Sequence, residues 1–91
     1  MKNVIVTGGA QGIGKIITQK LLEKGFGVSV FELDEEAISD FKSEINTEEI
    51  AFFGTDMANE ESVANSVKQS FEKFGNISGL INNAAIQIDK P

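Results

Sequence analysis

Short runs of β-branched and other apolar residues alternate along this 91-residue chain with longer segments of helical period. The alternation is typical of βαβ units, whose strands form a parallel sheet. Four strands are predicted, at residues 4–6, 28–32, 50–55 and 79–82. The expected order of elements is therefore β-α-β-α-β-α-β, without a linker or repeat, and residues 83–91 are expected to form a loop.

The three segments between the predicted strands have apolar residues three or four positions apart, which indicates helices with one apolar face. Asp34 and Asn59 are suited to cap the second and third helices, and Gly25 and Gly75 are suited to end the first and third. The predicted apolar faces consist of Ile13, Ile16, Ile17, Leu21 and Leu22 in the first helix, Ile38, Phe41 and Ile45 in the second, and Val63, Val67, Phe71 and Phe74 in the third.

The connections restrict how these elements can be arranged, because parallel crossovers are right-handed. A doubly wound sheet would have the strand order 3-2-1-4, with the first two helices on one face and the third on the other. The order reverses between strands 1 and 4, so a ligand is expected in the crevice beyond their carboxyl ends. The fold class is thus α/β, a Rossmann-like parallel sheet of four strands and three helices.

A glycine-rich turn, residues 7–14, joins the first strand to the first helix. Gly8 would allow a sharp turn off the strand, Gly12 a close backbone approach to a pyrophosphate, and Gly14 close packing of the helix on the sheet. The N–H groups that begin the helix would then face the phosphates. This spacing at a strand–helix junction favours phosphate binding over a purely structural turn.

The same stretch has to be compared with a P-loop, since residues 9–15 fit the pattern GxxxxGK. A P-loop continues with Ser or Thr, whose hydroxyl binds Mg²⁺. This chain has Ile16 there, on the predicted apolar face, so a nucleotide triphosphatase is disfavoured. Lys15 is interpreted as a solvated helix residue.

Two carboxylates follow the second strand at the distance expected for a ribose-binding acid, Glu32 and Asp34. Glu32 is the first polar residue at the strand's end, whereas Asp34 already has a role as a helix cap, so the ribose is assigned to Glu32. A carboxylate repels the 2′-phosphate of NADP, and no basic residue lies near Gln11 or Leu33. NAD is therefore expected rather than NADP.

Polar residues also follow the third and fourth strands. Asp56 could accept from an adenine amino group with Met57 against the ring, or it could be a plain loop carboxylate. Asn82 and Asn83 could bridge neighbouring backbone groups, reach a ribose, or form a turn.

Composition excludes several classes of function. The net charge is −6 and all eight basic residues are lysines, which disfavours a nucleic-acid partner. There is no cysteine, and no apolar run approaches the roughly 20 residues needed to span a bilayer. The N-terminal residues do not have the pattern of a secretory signal, so a cytoplasmic location is expected.

Taken in order, the motifs Thr7-Gly8-x-x-x-Gly12-Ile13-Gly14, Glu32, Asp56 and Asn82-Asn83-Ala84-Ala85 resemble the short-chain dehydrogenase/reductase family over nearly the whole chain. Ala85 replaces the glycine of the family's NNAG. The resemblance implies that the chain is a single partial NAD-binding Rossmann domain, residues 1–91, in which Asn82 holds the central sheet together. The implied cofactor-binding residues are Gly8, Ala10, Gln11, Gly12, Ile13, Gly14, Glu32, Leu33, Asp56, Met57, Asn83 and Ala84.

The resemblance also implies a catalytic set of Ser, Tyr and Lys on a fifth strand and the helix after it. The chain contains no tyrosine, histidine or cysteine. Its third-helix serines, Ser62, Ser66 and Ser70, are expected to lie far from the crevice. No catalytic residue and no metal site is predicted, and the chain is expected to be the front half of the fold, ending before strand 5.

Three functions remain open on this basis. The chain is an NAD(H)-binding half of a dehydrogenase that is inactive alone, or one piece of an active oxidoreductase completed by a C-terminal part or partner, or a cofactor-free interaction module. An open fourth strand and a partly uncovered sheet face would expose surface that self-association could bury, so a homo-oligomer is expected.

Overall fold

Residues 1–83 are described by the computed structural model, and they form the predicted alternation of strands and helices. The strands are β1 (Asn3–Thr7), β2 (Gly27–Glu32), β3 (Ile50–Gly54) and β4 (Ile77–Asn82), and the helices are α1 (Gly12–Glu23), α2 (Glu35–Glu44) and α3 (Glu60–Phe74). All strand pairs are parallel, and the order β3-β2-β1-β4 confirms the predicted topology.

The central strands are buried on both faces, as expected where helices cover both sides of a parallel sheet. Side chains alternate between faces along each strand. Val4, Val6, Val28 and Val30 form one apolar face, against which Ile17, Leu21 and Leu22 of α1 and Ala37, Ile38 and Phe41 of α2 pack. Phe41 meets Phe52 of β3 edge to face, with the ring centroids 5.5 Å apart.

The opposite face of the sheet is more polar and packs against α3. Asn3 donates to Ser70 Oγ at 3.0 Å and accepts from Ser29 Oγ at 3.0 Å, and the two serine hydroxyls are 2.6 Å apart. All three side chains are fully buried. Hydrogen bonds, and not only apolar contacts, therefore join α3 to β1 and β2.

This packing corrects the predicted face of α3. The buried residues of the helix are Ser66 and Ser70, whereas Phe71 is 48% exposed. Val63, Val67 and Phe74 are half-buried. Small hydroxyl side chains let the helix approach the sheet closely and pair with its polar groups, which turns Phe71 outward.

The predicted face of α1 also needs a correction at its first turns. Ile13 is 69% exposed and Ile16 is 58% exposed. Gly14 and Thr18 are the buried residues, and the Thr18 hydroxyl lies within hydrogen-bonding distance of the carbonyl oxygens of Gly9 (3.2 Å) and Gly14 (2.9 Å). The helix start is thus held against the glycine-rich turn by a small polar contact.

Lys15 is not the freely solvated residue that the sequence suggested. Its Nζ lies 2.5 Å from Glu44 Oε2 and 5.1 Å from the centre of the Phe41 ring. The side chain therefore bridges α1 and α2 with an ion pair and a cation–π contact, although such a partly exposed pair contributes little to stability.

The capping predictions are confirmed. Asp34 accepts hydrogen bonds from the N–H groups of Glu36 and Ala37, and Asn59 accepts from Ser62 N–H. Gly25 and Gly75 follow α1 and α3 with φ of 88° and 84°.

The outer strands differ slightly from the predicted bounds. β4 begins at Ile77, two residues earlier than expected, because a register shift opposite Asn3 and Val4 accommodates an extra residue. β3 ends at Gly54, so that Thr55 lies beyond it.

Within residues 1–83, β4 pairs with β1 alone, and Leu80 on this edge strand is 62% exposed. No helix in this part of the chain is long and apolar enough to span a bilayer.

Candidate functional site

A cleft of about 450 Å³ opens at the carboxyl ends of the strands, where the sequence predicted a crevice. Seven of the predicted site residues line it, namely Gly8, Gln11, Glu32, Leu33, Asp56, Met57 and Asn83. Three residues that sequence reasoning missed line it as well, namely Phe31, Thr55 and Ala58. Each of the three is next in the sequence to a predicted site residue at a strand end. Extending the predicted set by one residue at those ends would have included them.

The glycine-rich turn gains its shape from two residues in the left-handed region. Gly8 has φ of 63° and Gly12 has φ of 57°, conformations that residues with a Cβ rarely adopt. Gly8 N–H donates to the Phe31 carbonyl at 2.7 Å, so the turn begins while the chain is still hydrogen-bonded to β2. The sharp departure from β1 that was expected at Gly8 is therefore observed.

Gly14 is a position where no side chain fits. A Cβ there would overlap the carbonyl oxygen of Gly8 and lie 2.6 Å from Asn83 Nδ2. A close approach at Gly14 was predicted with the sheet as the neighbour. The first turn of α1 instead rests on the backbone of the glycine-rich turn and on Asn83, which follows β4.

The start of α1 differs from the starts of the other two helices. Gln11 occupies the N-cap position in an extended conformation, and its side chain makes no capping hydrogen bond. The first turn contains no acidic residue, whereas α2 and α3 each have an acidic first turn and a side-chain cap. The first turn of α1 thus brings no carboxylate of its own to the positive end of the helix dipole, which suits this end to an anionic group.

Glu32 lies at the end of β2 and is only 6% exposed. Its Oε1 accepts from Ala10 N–H at 3.2 Å, and its Oε2 accepts from Asp34 N–H at 3.2 Å and from the Gln11 amide at 3.4 Å. Asp34, in contrast, is exposed and occupied with capping α2. Of the two candidate acids, the one that lines the cleft is Glu32.

The segment after β3 forms another wall of the cleft. Asp56 Oδ1 accepts from Ala58 N–H at 3.0 Å, while Asp56 N–H donates to Ser62 Oγ at 2.9 Å. Buried Thr55 is hydrogen-bonded to Ser66 Oγ at 2.6 Å. Ser62 and Ser66 were expected to lie far from the crevice, and this was wrong: the first turns of α3 lie against the cleft wall and position its backbone.

The two asparagines at the end of β4 have separate roles. Asn82 Oδ1 accepts from the Thr7 hydroxyl at 3.0 Å, which joins β4 to β1 as predicted. Asn83 N–H donates to the same hydroxyl at 2.8 Å, and Asn83 Nδ2 donates to the Gly8 carbonyl at 3.3 Å. Asn83 thus bridges neighbouring backbone while lining the cleft.

The remaining predicted residues lie around the cleft or outside the described part. Ala10 and Gly12 line a second hollow of about 460 Å³, which Gln11, Asp34 and Asp40 also line. Ile13 is exposed at the start of α1. Ala84 falls outside residues 1–83. Those residues contain no cluster of His, Cys, Asp or Glu able to hold a metal ion.

A glycine-rich turn at the point where the strand order reverses, with an acidic residue at the end of β2, defines a Rossmann-like α/β protein. The sequence pattern of the short chain dehydrogenase family matches residues 2–91. The chain therefore belongs to the short-chain dehydrogenase family.

Individual relatives agree with this assignment. The chain is 40% identical over 87 residues to an uncharacterised oxidoreductase of Thermotoga maritima, with 93% of this chain and 34% of the relative covered. It is 36% identical over 94 residues to an L-2,3-butanediol dehydrogenase of Corynebacterium glutamicum, with 99% and 36% covered. The solved structure of a short chain dehydrogenase from Bacillus anthracis superimposes with a TM-score of 0.85 at 35% identity, covering 92% of this chain and 34% of that one.

The chain thus spans about a third of the length of the relatives that it matches. The matched third comprises the four strands and three helices that surround the cleft.

Proposed function

We propose that this chain binds NAD(H) in the cleft, through the adenosine diphosphate half of the cofactor. The observation that carries the proposal is the junction of β1 and α1, where Gly8 and Gly12 at positive φ and the close packing of Gly14 present an uncapped helix start beside Glu32. Such a start offers backbone N–H groups and a positive dipole end to a diphosphate.

The lining of the cleft fits the rest of that half of the molecule. Glu32 would accept from the adenosine ribose hydroxyls, Asp56 from the adenine amino group, and Met57 and Leu33 would contact the ring. Gly8, Ala10, Gln11, Gly12, Ile13 and Gly14 would surround the diphosphate, and Asn83 with Ala84 would line the nicotinamide-side ribose. The nicotinamide ring supplies hydride transfer when the cofactor is bound.

A preference for NAD over NADP follows from charge. The Glu32 carboxylate lines the cleft, and Asp34, Glu36 and Asp40 line the second hollow beside Gln11. Lys15 also lines this hollow, so the expectation that no basic residue lies near Gln11 was wrong, but its Nζ is paired with Glu44. A 2′-phosphate would therefore lie among carboxylates, with no guanidinium group to pair with it because the chain contains no arginine.

Hydride transfer by these 91 residues alone is not expected. A general acid is needed to protonate a carbonyl oxygen, or a general base to deprotonate an alcohol, and the chain contains no tyrosine, histidine or cysteine for this task. An active oxidoreductase completed by a C-terminal part or a partner chain is the second candidate. It is favoured by the position of β4 at the edge of the sheet within residues 1–83 and by the matched length of about a third of the relatives.

Self-association is a further part of the proposal. β4 presents unpaired backbone groups along its outer edge within the described residues, and Leu80 and Phe71 expose apolar surface on and near the α3 face. A second copy pairing along β4 would cover the backbone groups, and one packing on the partly uncovered sheet face would cover the apolar side chains. A cytoplasmic location stays a prediction.

Calorimetric titration of the purified chain with NADH and with NADPH tests the proposal. We expect saturable binding of NADH, at least about tenfold tighter than NADPH because of the repelled phosphate. Absence of NADH binding at millimolar concentration would contradict the proposal and favour a cofactor-free interaction module. Oxidation of NADH with a carbonyl substrate by the chain alone would contradict the expected inactivity.

A further inference from the structure

We propose that Glu32 is a positioning residue for the glycine-rich turn, in addition to any contact with a ribose. Its carboxylate would hold the turn in its phosphate-binding shape before a ligand arrives. The inference rests on the proposed function for its ligand, but its structural part can be tested without one.

The two oxygens of the carboxylate are divided between two segments of the chain. Oε1 accepts from Ala10 N–H in the glycine-rich turn, and Oε2 accepts from Asp34 N–H at the start of α2, each at 3.2 Å. Hydrogen bonds with one ionised partner are stronger than neutral ones. One buried side chain therefore joins the turn to the β2–α2 connection.

The turn has a particular need for such a contact. Ala10 is buried and lies between Gly8 and Gly12, the two residues at positive φ. Glycine restricts the backbone less than any other residue, so the geometry of this segment depends on its hydrogen bonds. The Ala10 N–H bond to Glu32 lies midway between the two flexible positions, and its loss would leave a buried donor unpaired.

Glu32 itself stands on a rigid support. Its carbonyl accepts from Thr55 N–H at 2.9 Å, and the preceding residue, Phe31, accepts from Gly8 N–H at 2.7 Å. The backbone of β2 thus fixes the carboxylate, and the carboxylate fixes the turn. Preorganised N–H groups bind an anion without the cost of ordering the loop.

This role separates from ribose binding by the choice of probe. Inorganic pyrophosphate contains no ribose. If the carboxylate served the ribose alone, the pyrophosphate affinities of variants at residue 32 would differ only according to the charge of that residue. The positioning role instead requires pyrophosphate affinity to depend on whether residue 32 can reach Ala10 N–H.

Four versions of the full chain separate reach from charge: wild type, Glu32→Gln, Glu32→Asp and Glu32→Ala. Gln keeps the length and one acceptor oxygen but loses the charge. That oxygen is expected to turn to the Ala10 N–H, the more buried of the two backbone donors. The new NH₂ group would then face the Gln11 amide, which is exposed and can rotate to accept from it, and the N–H of exposed Asp34, which would bond to solvent in place of Oε2. Asp keeps the charge but is one methylene too short.

Amide hydrogen exchange at Ala10, measured without ligand, is the first readout. We expect slow exchange in wild type and Glu32→Gln, and exchange about tenfold faster or more in Glu32→Asp and Glu32→Ala. Amides in β1 and β2 serve as internal controls for global unfolding. The second readout is pyrophosphate affinity, expected to be about tenfold weaker for Glu32→Ala than for the equally uncharged Glu32→Gln.

Equal exchange rates at Ala10 in all four proteins would overturn the inference. Exchange rates that follow charge would overturn it as well, with Glu32→Gln exchanging like Glu32→Ala and Glu32→Asp like wild type. Faster exchange in the two short variants, together with no pyrophosphate binding by wild type, would uphold the positioning role and contradict the proposed cofactor site. Glu32→Asp, as the milder change, decides the question if Glu32→Ala does not fold.

Discussion

Asn83 Nδ2 donates a hydrogen bond to the carbonyl oxygen of Gly8, with the two atoms 3.3 Å apart. This contact joins residues 75 positions apart in the chain, at the ends of β4 and β1. Gly14 lies against both partners, since a Cβ on it would meet the same carbonyl and the same amide nitrogen. The base of the cleft is therefore a three-way contact between β1, β4 and the start of α1.

Gly14→Ala is expected to destabilise the protein by about 3 kcal/mol or more, because the added methyl group overlaps backbone that cannot rotate away. Chemical denaturation monitored by circular dichroism measures the change. Gly79→Ala is the matched control. Its Cβ would lie 3.9 Å from the nearest atom, on Val4, so the free energy of unfolding should change by less than about 0.5 kcal/mol. Similar effects of the two substitutions would contradict the close approach described for Gly14.

Asp34→Ala is expected to lower the free energy of unfolding by about 1 kcal/mol, the usual cost of a lost N-cap. Its carboxylate accepts the Glu36 and Ala37 N–H groups and is not assigned to the ribose. NADH affinity at a temperature where the variant is folded should therefore remain within about twofold of wild type. A large loss of NADH affinity would show that the ribose had been assigned to the wrong acid.

Asp56→Ala is expected to weaken the binding of adenine nucleotides while leaving pyrophosphate binding nearly unchanged. The carboxylate accepts from Ala58 N–H with Oδ1, and it lines the cleft from the segment after β3, which is separate from the turn that would hold the phosphates. Losing one polar contact to the base should cost about tenfold in affinity for ADP. Calorimetry with ADP and pyrophosphate measures both values, and equal losses for the two ligands would argue against an adenine contact.

Ser70→Ala is expected to cost about 1–3 kcal/mol, because Asn3 Nδ2 loses its buried acceptor. Thermal unfolding should shift downward by several degrees for a chain of this length. Ser43→Ala is the control, since this exposed hydroxyl donates only to the Asp40 carbonyl on the surface of α2. A neutral Ser70→Ala would mean that the polar contact between α3 and the sheet contributes nothing to stability.

Leu80→Lys is expected to weaken self-association without destabilising the folded chain, because the side chain is exposed on the edge strand and lysine disfavours edge pairing. Light scattering after size exclusion, at micromolar concentrations, would show a lower mass than wild type. Gln19→Lys adds the same charge on α1 and should leave the mass unchanged. A monomeric wild-type chain would remove the basis of this prediction.

The topology was predictable because it depends on patterns that are local in the sequence. Each strand is a short apolar run, the caps Asp34 and Asn59 stand where a helix must begin, and the right-handed crossover rule leaves few arrangements. The face of α3 was not predictable in the same way. Phe71 and Ser70 are neighbours in the sequence, and only the position of Asn3 and Ser29 on the sheet decides that the serine faces inward.

The candidate site, too, was predictable in part. The glycine spacing and the acid after β2 are sequence features, and the fold brings Gly8, Glu32, Asp56 and Asn83 to one cleft as expected. The partners of these residues were not foreseeable. That Ser62 contacts the Asp56 backbone, and that Glu32 divides its oxygens between two loops, depends on distances between separate elements.

The amino-acid sequence by itself therefore determined the order of elements, the strand order and the end of the sheet at which the cleft opens. Periodicity, capping and crossover handedness act over a few residues or follow general rules of chain connection. Tertiary structure alone decided where burial departs from the predicted apolar faces, as at Phe71, and what each polar group contacts. Burial and hydrogen bonding depend on how closely two elements approach, and at Gly14, Ser70 and Glu32 that approach is set by residues far away in the chain.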